Sequence, residues 1–313
     1  MFAILWPKRQ AGYPRRTSAS TSNRSTVTLS PTTSLHQRRP PELYAWYGAV
    51  HRRSTSQSVR VKLDSSVGFR EPYWVARGGR TPEKWKQMKV QIIPIALGFC
   101  QCYVLRADGV IAVDAGAPNK GSRFARAMER AAIPPEEVRL IVLTHGHWDH
   151  VGSAGRLGQM TGAKLALHER EIGWLEQGLT PLPPGITPGG RFFIRALKLF
   201  MPLIKVPPTK VDIALRDDGL SLTDYGIPGR VLYTPGHSSG SVSILLDSGE
   251  AFVGDLAMNR FPLRLSPGLP VLAEDSSAVI RSWRMLLEQG ATTVYPAHGK
   301  PFPAEVIRSA IGA

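Results

Sequence analysis

Cysteine is almost missing from this chain: 313 residues contain two, Cys100 and Cys102. Side chains two apart on a strand point to the same face, a poor geometry for a disulfide, so no disulfide framework shapes the fold. The pair reads as ordinary half-buried residues. A thiolate metal site is disfavoured because no further cysteine completes it. Long apolar runs are missing too, which leaves no membrane-spanning helix. The opening Phe2 to Trp6 stops at Pro7, too short for a secretory apolar region. Few cysteines and no secretory signal point to a reducing compartment, the cytoplasm. There is no clear internal repeat.

Acidic residues are absent from the front of the chain, where the first is Glu42. Residues 1–87 carry sixteen Lys and Arg against four Asp and Glu, whereas residues 88–313 carry twenty-three against twenty. The pI near 10.2 therefore belongs to the front. Thr17 to Ser34 is mostly Ser and Thr, a composition that cannot bury enough apolar surface to fold alone. Three readings fit 1–87: a disordered or transit-peptide extension, which would make the location organellar; translated upstream sequence ahead of a start at Met88; or a basic tail for nucleic acid. The nearly neutral 88–313 domain is not expected to bind nucleic acid.

Histidine is scarce as well, eight in all, yet three of them fall within six residues: His145-Gly146-His147-Trp148-Asp149-His150. This cluster directly follows the apolar run Leu140 to Leu143. So many titratable groups at one turn imply a metal that offsets their burial. His237 in Thr234-Pro235-Gly236-His237 and His298 in Tyr295-Pro296-Ala297-His298-Gly299 each stand where a β-branched or aromatic run halts at Pro or Gly, as loops do at strand ends. Asp255 ends a third such run, Ala251 to Gly254.

Alternate residues of an extended turn direct His145 and His147 to one point, where His237 adds a third nitrogen. Asp149 and His150 open the next helix and face a second point with His298. Asp255 has two oxygens and can serve both. Each site keeps a position for water, which marks catalytic rather than structural metal. His168 reads as a solvated residue at a helix start, and Trp148 either packs beside the site or lines its mouth.

Elements alternate from Val90 onward. Val90 to Ile95, Cys102 to Arg106, Val110 to Val113, Leu140 to Leu143, Lys164 to Leu167, Ser241 to Leu246, Ala251 to Val253 and Thr292 to Tyr295 read as strands, with turns at Asp108-Gly109 and Ser248-Gly249. Ser122 to Ala132, Val151 to Met160 and Ser276 to Gln289 read as helices. Mixed strands and helices with ligands at strand ends imply a layered α/β domain whose site opens along one sheet edge. The stretch 178–209 is rich in Pro and Gly but encloses the apolar Arg191 to Val206, a cap-like insert. On a helix, Arg191, Arg195, Lys198 and Lys205 would form a cationic stripe opposite Phe192, Phe193, Leu199, Phe200 and Leu203, kinked at Pro202. It is either a plain surface helix or a cap touching an acyl chain or a membrane surface.

The pattern His145-x-His147-x-Asp149-His150, then His237, Asp255 and His298, resembles the metallo-β-lactamase superfamily, and within it the dinuclear metallo-hydrolases with a glyoxalase II-like or lactonase-like core. The resemblance runs from about Val90 to Pro303. It implies a four-layer αββα sandwich, with Val113-Asp114-Ala115-Gly116 matching a motif whose aspartate, Asp114, supports the site structurally. His150 and Asp255 together depart from the lactam-cleaving classes. Histidine at 147 departs from the di-iron oxygen-reducing relatives. Only fifteen residues follow His298, so the glutathione-binding C-terminal domain of glyoxalase II is missing, and the insert of the RNA-processing relatives is missing too. Met258 stands where the acyl-homoserine lactonases carry a tyrosine.

The resemblance implies two Zn²⁺, with iron or manganese as other candidates, and a bridging hydroxide oriented by Asp149, which passes a proton to the leaving group. The expected reaction is hydrolysis of an ester, thioester or lactone in a small-molecule substrate. The competing readings are a mononuclear iron persulfide dioxygenase of the same fold, a metal-dependent nuclease or phosphodiesterase, and a non-catalytic binding protein. No substrate-binding residue is identifiable from sequence.

Overall fold

The computed structural model describes residues 88–260 and 263–313; the expectations for residues 1–87 lie outside the described residues. The first sheet runs in chain order: β1 (Gln91–Leu97), β2 (Cys100–Arg106), β3 (Val110–Val113), β4 (Val138–Val142), β5 (Lys164–His168) and β6 (Ile213–Leu215). β1, β2 and β3 pair antiparallel, and β3 to β6 pair parallel. Parallel strands need crossovers. Helix α1 (Gly121–Arg130) crosses from β3 to β4; the short α2 (Trp148–Val151) and α3 (Ala154–Thr161) cross from β4 to β5. Between β5 and β6 lie α4 (Ile172–Glu176) and α5 (Pro188–Phe200).

The second sheet is made of β7 (Leu220–Ser221), β8 (Gly229–Tyr233), β9 (Val242–Leu246), β10 (Glu250–Phe252), β12 (Thr293–Tyr295) and β14 (Phe302–Pro303), in the order β14-β12-β10-β9-β8-β7. A two-stranded ribbon joins β11 (Met258–Asn259) to β13 (His298–Gly299), and α6 (Ser276–Glu288) and α7 (Glu305–Ile311) complete the chain.

The period of two along each strand builds the layers. Tyr103, Leu105, Ile111, Val113, Leu140 and Val142 meet Val231, Val242, Ile244, Leu246 and Phe252 in one buried cluster between the sheets. The alternate residues Val104, Ala112 and Ile141 turn outward to Phe124 and Met128 of α1 and Leu157 of α3. On the far side, Leu245, Ala251 and Val294 pack under Trp283 and Leu286 of α6 and Ile307 of α7. Helix, sheet, sheet, helix is the αββα sandwich expected from the sequence.

The helix anticipated over Val151 to Met160 is divided in two. Ser153 Oγ donates to Ala117 O (2.6 Å) and accepts from Lys120 N (2.9 Å), tying the break to the loop after β3. α6 starts on Asp275, whose carboxylate accepts from Ser277 N and Ala278 N (2.8 and 3.0 Å). α5 starts on Thr187, whose hydroxyl accepts from Gly190 N (3.0 Å), with Pro188 in the first turn.

Helix α5 stops before Pro202, which sits in a single 3₁₀ turn, Met201–Leu203. The kink expected at Pro202 is therefore a termination, because the ring removes the donor the next turn needs. The cationic stripe also differs from expectation. Phe192, Leu199, Phe200 and Leu203 are exposed beside the cations, while the packed face is Phe193, Ile194 and Leu197. Among the described residues no helix is long and apolar enough to cross a membrane.

Candidate metal centre

The C-terminal ends of β4, β8, β10 and β12 meet along one edge of the sandwich. β4 releases Leu143 to His147 before α2, β8 leads to His237, β10 to Asp255 and β12 to His298. The two sheets are stitched there: Val242 N donates to Thr144 O (2.8 Å). Gly254 has φ +51°, and a Cβ there would lie 2.5 Å from Thr144 Oγ1, so only glycine lets the Asp255 loop approach.

All seven predicted ligands come together. His145, His147 and His237 form one group; Asp149, His150 and His298 another; within each group one donor atom per residue lies within 4.8 Å of the others. Asp255 faces both: Oδ2 is 3.5 Å from His237 Nε2, while Oδ1 is 3.4 Å from His150 Nε2 and 3.2 Å from His298 Nε2. Asp149 Oδ2 lies 3.4 Å from His298 Nε2.

The outer hydrogen bonds decide which ring nitrogen faces in. Asp114 Oδ1 accepts from Thr144 N (2.8 Å), and the Thr144 hydroxyl donates to the same carboxylate (2.9 Å). That hydroxyl then accepts from His145 Nδ1 (3.1 Å), and Asp114 Oδ2 accepts from His150 Nδ1 (2.9 Å). His237 Nδ1 donates to Leu272 O (2.8 Å) and His298 Nδ1 to Phe99 O (3.1 Å). Four imidazoles are thereby left with Nε2 pointing at a shared centre. His147 is the exception, its Nδ1 lying 3.0 Å from His237 Nε2.

Among the described residues, the buried side-chain nitrogens and oxygens without a hydrogen-bond partner are His145 Nε2, His147 Nε2, His150 Nε2 and Asp255 Oδ1. Every one belongs to this cluster. Buried polar atoms left unpaired are costly, and a divalent cation coordinated by imidazole and carboxylate is the partner this donor set fits.

The family model of the metallo-beta-lactamase superfamily matches residues 95–298. The chain belongs to the metallo-β-lactamase superfamily. Among its relatives, the Mycobacterium tuberculosis protein Rv2581c is 30% identical over 227 residues, 68% of this chain and 91% of that one. Metallo-beta-lactamase domain-containing protein 1 of Rattus norvegicus is 28% identical over 273 residues, 82% and 90% of the two chains. The probable metallo-hydrolase YqgX of Bacillus subtilis is 25% identical over 175 residues, 55% of this chain and 71% of that one. A metallo-beta-lactamase family protein of Thermus thermophilus, TTHA1429, superposes with a TM-score of 0.52 at 22% identity, covering 71% of this chain and 78% of that one. That likeness concerns the fold.

In this superfamily member the two halves of the cluster differ in protonation when no cation is bound. Burial, reinforced by His150, His147 and His237, holds His145 well below the usual histidine value. Burial and then His237 push His147 down to about 3, and burial lowers His237. In the other half burial also opposes the charged ring, but Asp255 and Asp149 outweigh it and lift His298 to about 10. Burial favours the neutral acid at Asp255, yet His298 and His150 hold its carboxyl well below the ordinary range.

The cluster forms the floor of an apolar pocket. Asp149 and His147 open into it, Phe99 and Trp148 flank it edge to face at 5.8 Å, and Leu182, Phe193, Ile194 and Leu197 form one wall against Met258, Leu263 and Leu272. Trp148 thus lines the mouth. The stretch 178–209 lines this pocket and is also joined to the centre: Ile186 N donates to Val271 O (3.0 Å) and Ala273 N to Pro184 O (3.1 Å), bracketing the carbonyl that orients His237.

Three residues differ from the sequence reading. Cys100 and Cys102 are fully buried rather than half-buried, with their sulfurs 3.8 Å apart and Cys100 Sγ 3.8 Å from His150 Nδ1. His168 is buried rather than solvated; it stacks on Tyr233 (4.7 Å) and lies 3.2 Å from Asp217 Oδ1. Its exposed neighbours Glu169 and Arg170 suggested the opposite.

Glu171 is a loop-positioning residue that sequence reasoning misses. Its buried carboxylate accepts from Gly146 N and from Gly240 N (2.8 Å), clamping the first histidine loop to the His237 loop. Burial pushes its carboxyl up against these hydrogen bonds.

Proposed function

We propose that this chain is a metal-dependent hydrolase that cleaves an ester, thioester or lactone, using two zinc ions. His145, His147 and His237 would hold one ion and Asp149, His150 and His298 the other, with Asp255 within reach of both groups. The observation that carries the reading is the convergence of these seven residues, with His145 Nε2 and His150 Nε2 buried and without a hydrogen-bond partner, beside an apolar pocket that His147, Asp149, His237, Asp255 and His298 line. Relatives named as probable metallo-hydrolases support it. Bound there, divalent cations polarise a carbonyl oxygen and make water acidic enough to attack it at neutral pH.

The protein's own residues do the rest. Asp149, the partly exposed carboxylate of the set, would take up the proton released by the attacking water and hand it to the departing oxygen or sulfur. Asp114, Thr144, Leu272 O and Phe99 O hold the imidazoles in position. Phe193, Ile194 and Leu197 receive the apolar part of the substrate and exclude water.

Elemental analysis of chelator-free protein and a panel of ester, thioester, lactone and phosphodiester substrates test this. Two zinc equivalents with turnover of carbonyl esters are expected, and His147→Ala should lose metal and turnover while keeping its circular dichroism spectrum. One iron with oxygen uptake, or full activity in His147→Ala, would overturn the reading.

A further inference from the structure

Helix α5 and the turn after it hold four large apolar side chains out to solvent: Phe192 at 75% exposure, Leu199 at 78%, Phe200 at 60% and Leu203 at 80%. Single exposed apolar residues are ordinary, but these are aligned. Phe192 and Leu199 are two helical turns apart on one side, and Leu203 extends the row past the helix end. The opposite side is already occupied, with Ile194 buried and Phe193 and Leu197 packed near Met258 and Leu272.

Charge around this ridge has a single sign. From Pro188 to Val206 the chain carries Arg191, Arg195, Lys198 and Lys205, and no Asp or Glu. Aromatic and aliphatic side chains edged by unmatched cations are what an interfacial helix needs, its apolar row in the acyl boundary and its cations at anionic headgroups. A second copy of the chain would bring the same cations face to face, which disfavours self-association through this surface.

We infer that α5 docks the protein on an anionic phospholipid surface, with Phe192, Leu199 and Leu203 entering the acyl boundary and Arg195 and Lys198 meeting the headgroups. The inner face of the same helix lines the apolar pocket, so docking brings that cavity close to the bilayer. Docking does not depend on the reaction proposed above.

Co-sedimentation of the full-length protein with phosphatidylcholine vesicles, with and without phosphatidylserine, tests it. Wild type pellets with the anionic vesicles, and added salt weakens the binding. Because residues 1–87 are basic too, full-length variants decide. The triple variant Phe192→Ser, Leu199→Ser, Leu203→Ser should lower partitioning about a hundredfold, and the double variant Arg195→Glu, Lys198→Glu about tenfold or more, with circular dichroism and metal content unchanged. As a measurement that needs no loss of function, the fluorescence that Phe192→Trp adds should be quenched by brominated lipid. Anionic-vesicle binding undiminished in the triple variant, or added fluorescence in Phe192→Trp that brominated lipid leaves unquenched, overturns the inference. So does a wild-type dimer that the triple variant converts to monomer without any vesicle binding.

Discussion

Asp114 shows how much of the centre depends on a residue that is not one of the seven. Its φ of +62° is unusual for a residue with a side chain. That conformation places one carboxylate against Thr144 N, Thr144 Oγ1 and His150 Nδ1. Asp114→Asn keeps the shape but exchanges one acceptor oxygen for a donor, so His150 loses its outer anchor. Metal affinity should fall about 10- to 100-fold, read by competition with a chromogenic chelator, while the thermal transition in excess metal stays cooperative. Glu171→Gln, which disturbs the clamp between Gly146 and Gly240, should weaken metal binding in the same assay. Unchanged affinity in both variants would mean that the ligands position themselves.

At the scale of elements, α5 divides its labour by face. Phe193 and Leu197 turn to the pocket, so shortening either should act on substrate and not on metal. Phe193→Ala is expected to raise KM for long-chain esters about tenfold or more, from roughly 1.5–3 kcal/mol of lost burial, with zinc content and the rate on short acetyl esters preserved. Equal loss on both substrates would deny the wall its role. This element also marks how far sequence reaches. Strands β2 to β5, β9, β10 and β12 are legible because each is an apolar or β-branched run stopped by Gly, Pro or a turn. β6, β7, β11, β13 and β14 are two or three residues long, too short for any period to register, and they lack the apolar run between turn residues that marks the equally short β10 and β12. The ligands are legible because histidines are few and crowded at strand ends. Glu171 is not, since its partners are main-chain amides 25 and 69 positions away, which carry no residue-type signal. The packed face of α5 escapes sequence because periodicity shows that a helix has two sides, whereas the neighbours decide which is buried.

Taken whole, the molecule places a cluster of opposed titrations between its two sheets, and its pH stability in the metal-free state follows. His147, at about 3 in the folded chain, is protonated more readily when unfolded. Its stabilising contribution is full above about pH 6.5 and is lost as pH falls from there toward 3. His298, at about 10, behaves in the opposite sense: its contribution is full below about pH 6.5 and is lost as pH rises through 10. The metal-free protein should therefore have its highest Tm near pH 6.5 and lower values on both sides. On the two-metal reading, saturating zinc should raise Tm by binding the folded chain more tightly than the unfolded one. It also displaces the His298 proton, so the alkaline decline should flatten while the acid decline steepens as protons compete for the ligands. Thermal scans from about pH 5 to 9 with chelator and with zinc read both effects. A metal-free Tm that climbs steadily to pH 9 would show that His298 is not held as a cation between Asp149 and Asp255.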